Sequence, residues 1–105
     1  MASLRSRRGA AAGPSAAGGD ATVLREGETR LAVVHGGRIV AQTADITLSH
    51  AELVQRTVGA LPEGAWVGTL RKSAGVVVAM NSRTFYGNQL PAPAPVLDAV
   101  RAAFR

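Results

Sequence analysis

Two glycine-containing turns, each between two short segments rich in valine and other strand-forming residues, constrain the fold of this chain most. The first turn, Gly36-Gly37, separates Thr29–His35 from Arg38–Thr43, and glycine readily adopts the positive φ of a two-residue hairpin turn. The second turn, residues 72–75, separates residues 65–71 from 76–81. The sequence therefore predicts two β-hairpins.

The faces of the predicted strands follow from the two-residue period of a β-strand. Trp66, Gly68 and Leu70 fall on one face of the third strand. The fourth strand is nearly continuously apolar, which is typical of a strand in the middle of a sheet. We therefore expect residues 76–81 to lie centrally.

A helix is predicted after the first hairpin by the strongest local signal in the chain. Ser49 is suited to the N-cap position, and Glu52 three residues later completes a capping box. Leu48, just before the cap, is placed to pack on Leu53. Residues 62–64 are expected to end this helix. Its predicted apolar stripe consists of Leu53, Val54, Val58 and Leu61.

The C-terminal part of the chain is predicted to be a loop over residues 82–94 followed by a second helix. Pro95 fits the first turn of a helix. The apolar stripe of this helix consists of Val96, Leu97, Val100 and Phe104. The predicted class is α+β in the order β-β-α-β-β-α, with a small antiparallel sheet and helices packed on it.

The first 22 residues differ in composition from the rest of the 105-residue chain. They contain arginine, serine, alanine, glycine and proline and almost no large apolar residue, so they are expected to form a disordered, basic tail. Residues 23–105 form the predicted single domain. Of the formal net charge of +5, the tail to residue 20 carries +2. The remaining +3 permits an anionic partner without indicating one strongly.

The composition excludes several classes of site. The chain has no cysteine, which rules out disulfides, a thiolate zinc site and a cysteine nucleophile. No metal site or other cofactor is expected. No apolar run approaches the roughly 18 residues of a membrane span. We expect a cytoplasmic protein, or one exported as part of a larger effector.

His50 and Glu52 are the candidate catalytic residues. Their spacing resembles that of the zinc-binding histidine and proton-shuttling glutamate of nucleobase deaminases, but the cysteine ligands of those enzymes are missing here. The same two residues are suited to acid–base cleavage of RNA. The alternative is structural, since the capping box already accounts for Glu52. The sequence leaves open whether the protein is an enzyme.

The candidate binding residues lie around the second hairpin and in the loop after it. Arginine and lysine can neutralise phosphate, and tyrosine beside amide side chains can stack on a base or bind a protein partner. We expect residues 82–91 to form the main recognition site, because loops commonly carry function. The candidate binding residues are Arg71, Lys72, Arg83, Tyr86, Asn88 and Gln89.

Part of the chain, about residues 48–100, resembles a segment at the C-terminal ends of some bacterial effector and polymorphic-toxin proteins. The second histidine of that pattern is missing here, and residues 84–85 stand near its place. The resemblance implies an effector-associated context and no particular reaction. The residues that carry it are Ser49-His50, Gly64-Ala65-Trp66-Val67-Gly68, Gly75-Val76-Val77-Val78, Asn81-Ser82, Tyr86 and Pro91.

These observations lead to two functional hypotheses. The first is a small, non-enzymatic, effector-associated interaction or accessory module whose partner is another protein. The second is a toxin-type domain that acts on nucleic acid or a nucleotide, with His50 and Glu52 as acid–base residues. Neither hypothesis involves a membrane.

Overall fold

The computed structural model describes residues 22–105, and most of the predicted tail therefore lies outside the described residues. The predicted order β-β-α-β-β-α is confirmed, with one additional short helix, α2, inside the predicted loop. No helix in residues 22–105 has the length and apolarity needed to span a membrane. The elements are β1 (Thr29–His35), β2 (Arg38–Thr43), α1 (His50–Thr57), β3 (Trp66–Ser73), β4 (Val76–Asn81), α2 (Arg83–Tyr86) and α3 (Ala94–Ala103).

The four strands form one antiparallel sheet in the order β2-β1-β3-β4. The two hairpins therefore join through their first strands, β1 and β3. The prediction that β4 is central is wrong, because β4 lies at an edge of the sheet. Its continuous apolar character has a different cause: Val77 and Ala79 are buried against α3, whereas Val76 and Met80, on the other face, are exposed.

The sheet is covered by a helix on each face, and each helix has its own core. On one face, Leu31 and Val33 of β1 and Val67 of β3 pack with Leu53 and Val54 of α1. On the opposite face the core is built from β1, β3, β4 and α3. The buried residues of this second core are Leu24, Ala32, Val34, Trp66, Leu70, Val77, Ala79, Ala92, Ala99, Val100 and Phe104.

Helix α1 ends earlier than the sequence pattern predicts. The N–H groups of Val58 and Gly59 both donate to the Val54 carbonyl, and Gly59 adopts a left-handed φ of 83°. This geometry stops the helix before residues 62–64 are reached. Val58 and Leu61 still pack on the α1-side core, so the apolar stripe continues although the helix does not.

The N-terminal strap, residues 22–28, is attached to the α3 side of the sheet by Arg30. The Arg30 side chain is buried and donates to the Val23 carbonyl and to Gln42 Oε1 at 2.8 Å. It also pairs with Glu28 at 3.0 Å and lies over the Phe104 ring. A buried charge is tolerated only when it is paired and hydrogen-bonded in this way.

Trp66 lies across Gly68 on the α3-side face of β3. A Cβ atom at Gly68 would overlap both the indole carbons of Trp66 and the Met80 carbonyl oxygen. The Trp66 Nε1–H donates to Asn81 Oδ1 at 2.8 Å, which fixes the ring relative to β4. The absence of a side chain at residue 68 is therefore what lets the only tryptophan pack against a central strand.

We predict that Gly68→Ala lowers the free energy of unfolding by on the order of 3 kcal/mol, because the added methyl group overpacks the core. The matched control is Gly37→Ala, where a Cβ meets no atom within 4 Å but φ is 78°. Backbone strain alone is expected to cost about 1 to 2 kcal/mol there. Urea unfolding measures both variants. Equal losses would contradict the steric role of Gly68.

Candidate functional site

His50 begins α1 and points its imidazole at the sheet. Its Nε2 lies 3.0 Å from Thr69 Oγ1 on β3, and the side chain is half-buried. Burial lowers the pKa of His50, and a hydrogen bond to the Gly68 backbone only partly opposes that effect. The imidazole is therefore held mainly in its neutral form at pH 7.

Glu52 closes the predicted capping box. The Glu52 N–H donates to Ser49 Oγ at 3.0 Å, and the Ser49 N–H donates to Glu52 Oε1 at 2.8 Å. The hydrogen bond from the Ser49 N–H is the main reason why the pKa of Glu52 lies below its usual value. The carboxylate thus has a structural partner at the start of the helix.

The structure does not bring His50 and Glu52 into one catalytic pair. His50 bonds to Thr69 and Glu52 bonds to Ser49, and within residues 22–105 no hydrogen bond joins the two side chains. No group of three or more potential metal ligands of the His, Cys, Asp and Glu types occurs in the described part of the chain.

The tip of the β3–β4 hairpin already holds an internal anion. Residues 74 and 75 both adopt positive φ, and their N–H groups donate to the Glu26 carboxylate at 2.6 and 3.0 Å. These backbone bonds, followed by attraction to Lys72 and Arg71, keep the pKa of Glu26 below its usual value. The position that a phosphate would favour at this tip is therefore filled by the protein's own carboxylate.

The candidate binding residues separate into two groups. Arg71 and Lys72 stand near the hairpin tip, whereas Arg83, Tyr86, Asn88 and Gln89 follow the other end of β4. Arg71 is opposite Val78 and Lys72 is opposite Val77, so three to four strand positions, about 10 to 13 Å, separate them from the end of β4 at Asn81. One small ligand does not contact both groups, although an extended one can.

The residues at the start and end of the α2 segment, Ser82 and Tyr86, bond to β3 just beyond the end of β4. The buried Ser82 donates its N–H to the Val67 carbonyl and caps α2 by accepting from the Phe85 N–H. The Ser82 carbonyl accepts from the Tyr86 N–H within the helix. The Tyr86 hydroxyl then accepts from the Val67 N–H at 3.2 Å and donates to the Ala65 carbonyl. Tyr86 therefore anchors the loop to β3.

Asn88 holds the rest of the loop in shape. Its Oδ1 accepts from Asn81 Nδ2 at 2.9 Å and from the Leu90 N–H at 3.0 Å, and its Nδ2 donates to the Tyr86 carbonyl. Because Asn81 also accepts from Trp66, a continuous chain of hydrogen bonds runs from the core to the loop. The loop of residues 82–91 is thus joined to the tertiary core.

Tyr86 is 36% exposed but is bonded to β3 through its hydroxyl. Four other large side chains of this loop are exposed to an external partner, and we call them the loop surface: Arg83, Phe85, Gln89 and Leu90. Leu90 is 62% exposed and Phe85 is 37% exposed. Within the described residues, no side-chain hydrogen bond or ion pair uses Arg83 or Gln89. The sequence reasoning overlooked Leu90, whose position between polar residues and a proline was the available signal.

No protein-family model, no curated protein and no solved structure matches this chain. The functional argument therefore depends on the geometry of the chain itself.

We predict that Ser49→Ala lowers the free energy of unfolding by about 1 kcal/mol, because it leaves N–H groups of α1 without their cap. Glu52→Gln keeps an oxygen that can accept from the Ser49 N–H, and its midpoint of urea unfolding is expected to stay nearly unchanged. A Glu52→Gln protein that is fully stable but has lost a measurable activity would show a chemical role for this carboxylate.

Proposed function

We propose that this chain is a small, non-enzymatic interaction module that binds another protein through the loop surface. The observation that carries this proposal is the exposure of Leu90 and Phe85 on a loop whose backbone is fixed from the core. Large apolar side chains surrounded by polar groups are typical anchors of protein interfaces.

The rigidity of the loop supports binding without a large loss of entropy. Ser82, Tyr86 and Asn88 use their polar side-chain atoms to hold the loop, so its shape is already set before a partner arrives. Each rotamer-rich side chain that orders on binding costs about 0.5 to 1.5 kcal/mol. In this loop such a cost falls mainly on Arg83 and Gln89.

The effector-associated context belongs to this proposal as an accessory role. It is supported by the sequence resemblance over about residues 48–100, which includes the Trp66 segment and the Asn81-Ser82 pair. In this structure those residues build the core and position the loop. A non-enzymatic role is also consistent with the internal partners of His50 and Glu52.

We predict that Leu90→Ala and Phe85→Ala each weaken partner binding at least about tenfold, which corresponds to about 1.4 kcal/mol. The control is Ile46→Ala, because Ile46 is 58% exposed but precedes α1, outside the loop surface. Immobilised full-length proteins are compared by quantitative affinity capture from a bacterial lysate, after equal melting temperatures have been established. The proposal is sustained by proteins that the wild type and Ile46→Ala retain and the loop variants lose. Identical capture by all four proteins contradicts it.

One observation favours the second hypothesis, a toxin-type domain acting on nucleic acid or a nucleotide. The half-buried imidazole of His50 has a lowered pKa, and a general base acts in its neutral form. This alternative requires an activity that the interaction module lacks.

Expression of the full chain in a bacterial host separates the two hypotheses. We expect growth to be unaffected, as an interaction module predicts. Growth arrest that His50→Ala relieves, and that Thr69→Val does not, would instead favour catalysis. Both variants remove the His50–Thr69 hydrogen bond, but only the first removes the imidazole.

A further inference from the structure

One face of β4 is left uncovered by the helices. Cα partners in the β3–β4 ladder share a face, so Met80 lies on the same side as Thr69, and Val78 on the same side as Arg71. This is the α1 side, because His50 of α1 contacts Thr69. Helix α1 has only 8 residues, and its core includes residues of β1 and β3 but none of β4.

The uncovered residues of β4 form an apolar stripe, which we call the β4 face: Val76, Val78 and Met80. Val76 is 46% exposed and Met80 is 37% exposed, and Val78 is half-buried. At one end, Met80 pairs with Pro91, so the stripe continues toward the loop.

The outer edge of β4 is closed to an additional strand. The Asn81 N–H donates to the Leu90 carbonyl at 2.9 Å, and the Ala92 N–H donates to the Ala79 carbonyl at 2.8 Å. Nearer the hairpin tip, Arg101 Nε donates to the Val77 carbonyl at 3.0 Å. A partner therefore lies on the face of β4 and does not extend the sheet.

The segment that contains this face carries basic residues only. Residues 64–97 contain three basic residues and no acidic one. Two of the basic residues lie close to the stripe: Arg71 is opposite its middle residue, Val78, and Arg83 follows the end of β4. The nearby Glu26 carboxylate accepts from the N–H groups of the hairpin tip and also attracts Arg71, so of these two arginines Arg83 is the one without an internal acidic neighbour within residues 22–105. Charge complementarity thus favours an acidic occupant.

We propose that the β4 face docks an acidic, apolar segment of another protein, with apolar side chains on Val76 and Met80 and carboxylates toward Arg71 and Arg83. This inference rests on the proposed function, since it specifies the chemistry of the protein partner. It adds a second contact surface to the loop surface and gives a role to the arginines beside the middle of the apolar stripe and beyond one of its ends.

The test uses the full-length, ¹⁵N-labelled protein and two synthetic peptides. One peptide alternates glutamate with leucine, and the other alternates lysine with leucine. We expect the glutamate peptide to shift the amide signals of residues 69–71 and 76–80, with a dissociation constant at least about tenfold lower than that of the lysine peptide. Equal binding of the two peptides, no binding of either, or shifts confined to other surfaces would overturn the proposal.

Two matched variants locate the surface. Val76→Glu places a negative charge on the β4 face, whereas Val40→Glu places the same charge on β2 at the opposite edge of the sheet, where Val40 is 40% exposed. We expect Val76→Glu to weaken binding of the glutamate peptide at least about tenfold and Val40→Glu to leave it near the wild-type value. Equal effects of the two variants would contradict the assignment.

Other occupants of the β4 face give distinguishable results. Concentration-dependent dimerisation in sedimentation equilibrium that Val76→Glu abolishes would assign the face to a second copy of the chain and overturn the proposal. Tighter binding of a single-stranded oligonucleotide than of the glutamate peptide would also overturn it. If Leu90→Ala loses the captured protein partner while Val76→Glu retains it, this inference fails and the proposed function stands.

Discussion

The hydrogen bond between Trp66 and Asn81 connects the core of this protein to its candidate site. Gly68 makes the bond possible, because only a residue without a Cβ leaves room for the indole ring on β3. Asn81 accepts from Trp66 and donates to Asn88, and Asn88 accepts from the Leu90 N–H in the loop. The shape of an exposed loop therefore depends in part on the packing of a buried tryptophan.

Three carboxylates in the first half of the chain form hydrogen bonds or an ion pair with other groups of the protein. Glu26 binds the hairpin tip, Glu28 pairs with the buried Arg30, and Glu52 caps α1. These partners lower the pKa of Glu26 and of Glu52, since the charged form is the one that is stabilised. Burial raises the pKa of Glu28, but hydrogen bonds from the Arg25 N–H and from Arg30 outweigh it, and the pKa lies below its usual value. Residues 64–97, which contain β3, β4 and the loop, carry three basic residues and no acidic one, and two of these basic residues, Arg71 and Lys72, attract the Glu26 carboxylate at the hairpin tip.

Local patterns predicted the elements well where the signal was confined to a few neighbouring residues. The capping box at Ser49 and Glu52 was predictable because cap and partner are three residues apart, and the turn at Gly36-Gly37 because glycine supplies positive φ. The strand residues 76–81 were found, but their apolar run was misread as a central strand. An apolar run has the same sequence pattern whether both of its faces are covered or one of them is exposed.

By itself, the sequence determined the two hairpins, the cap of α1 and the face shared by Trp66 and Leu70. Tertiary structure alone decided the strand order β2-β1-β3-β4, the placement of α1 and α3 on opposite faces, and the separation of Arg71 and Lys72 from the loop. It also decided that Tyr86 and Asn88 serve as anchors while Leu90 is exposed. The physical reason is that strand order and side-chain exposure depend on contacts between residues distant in sequence. The hydrogen bonds and backbone angles of turns and caps, in contrast, involve residues only a few positions apart.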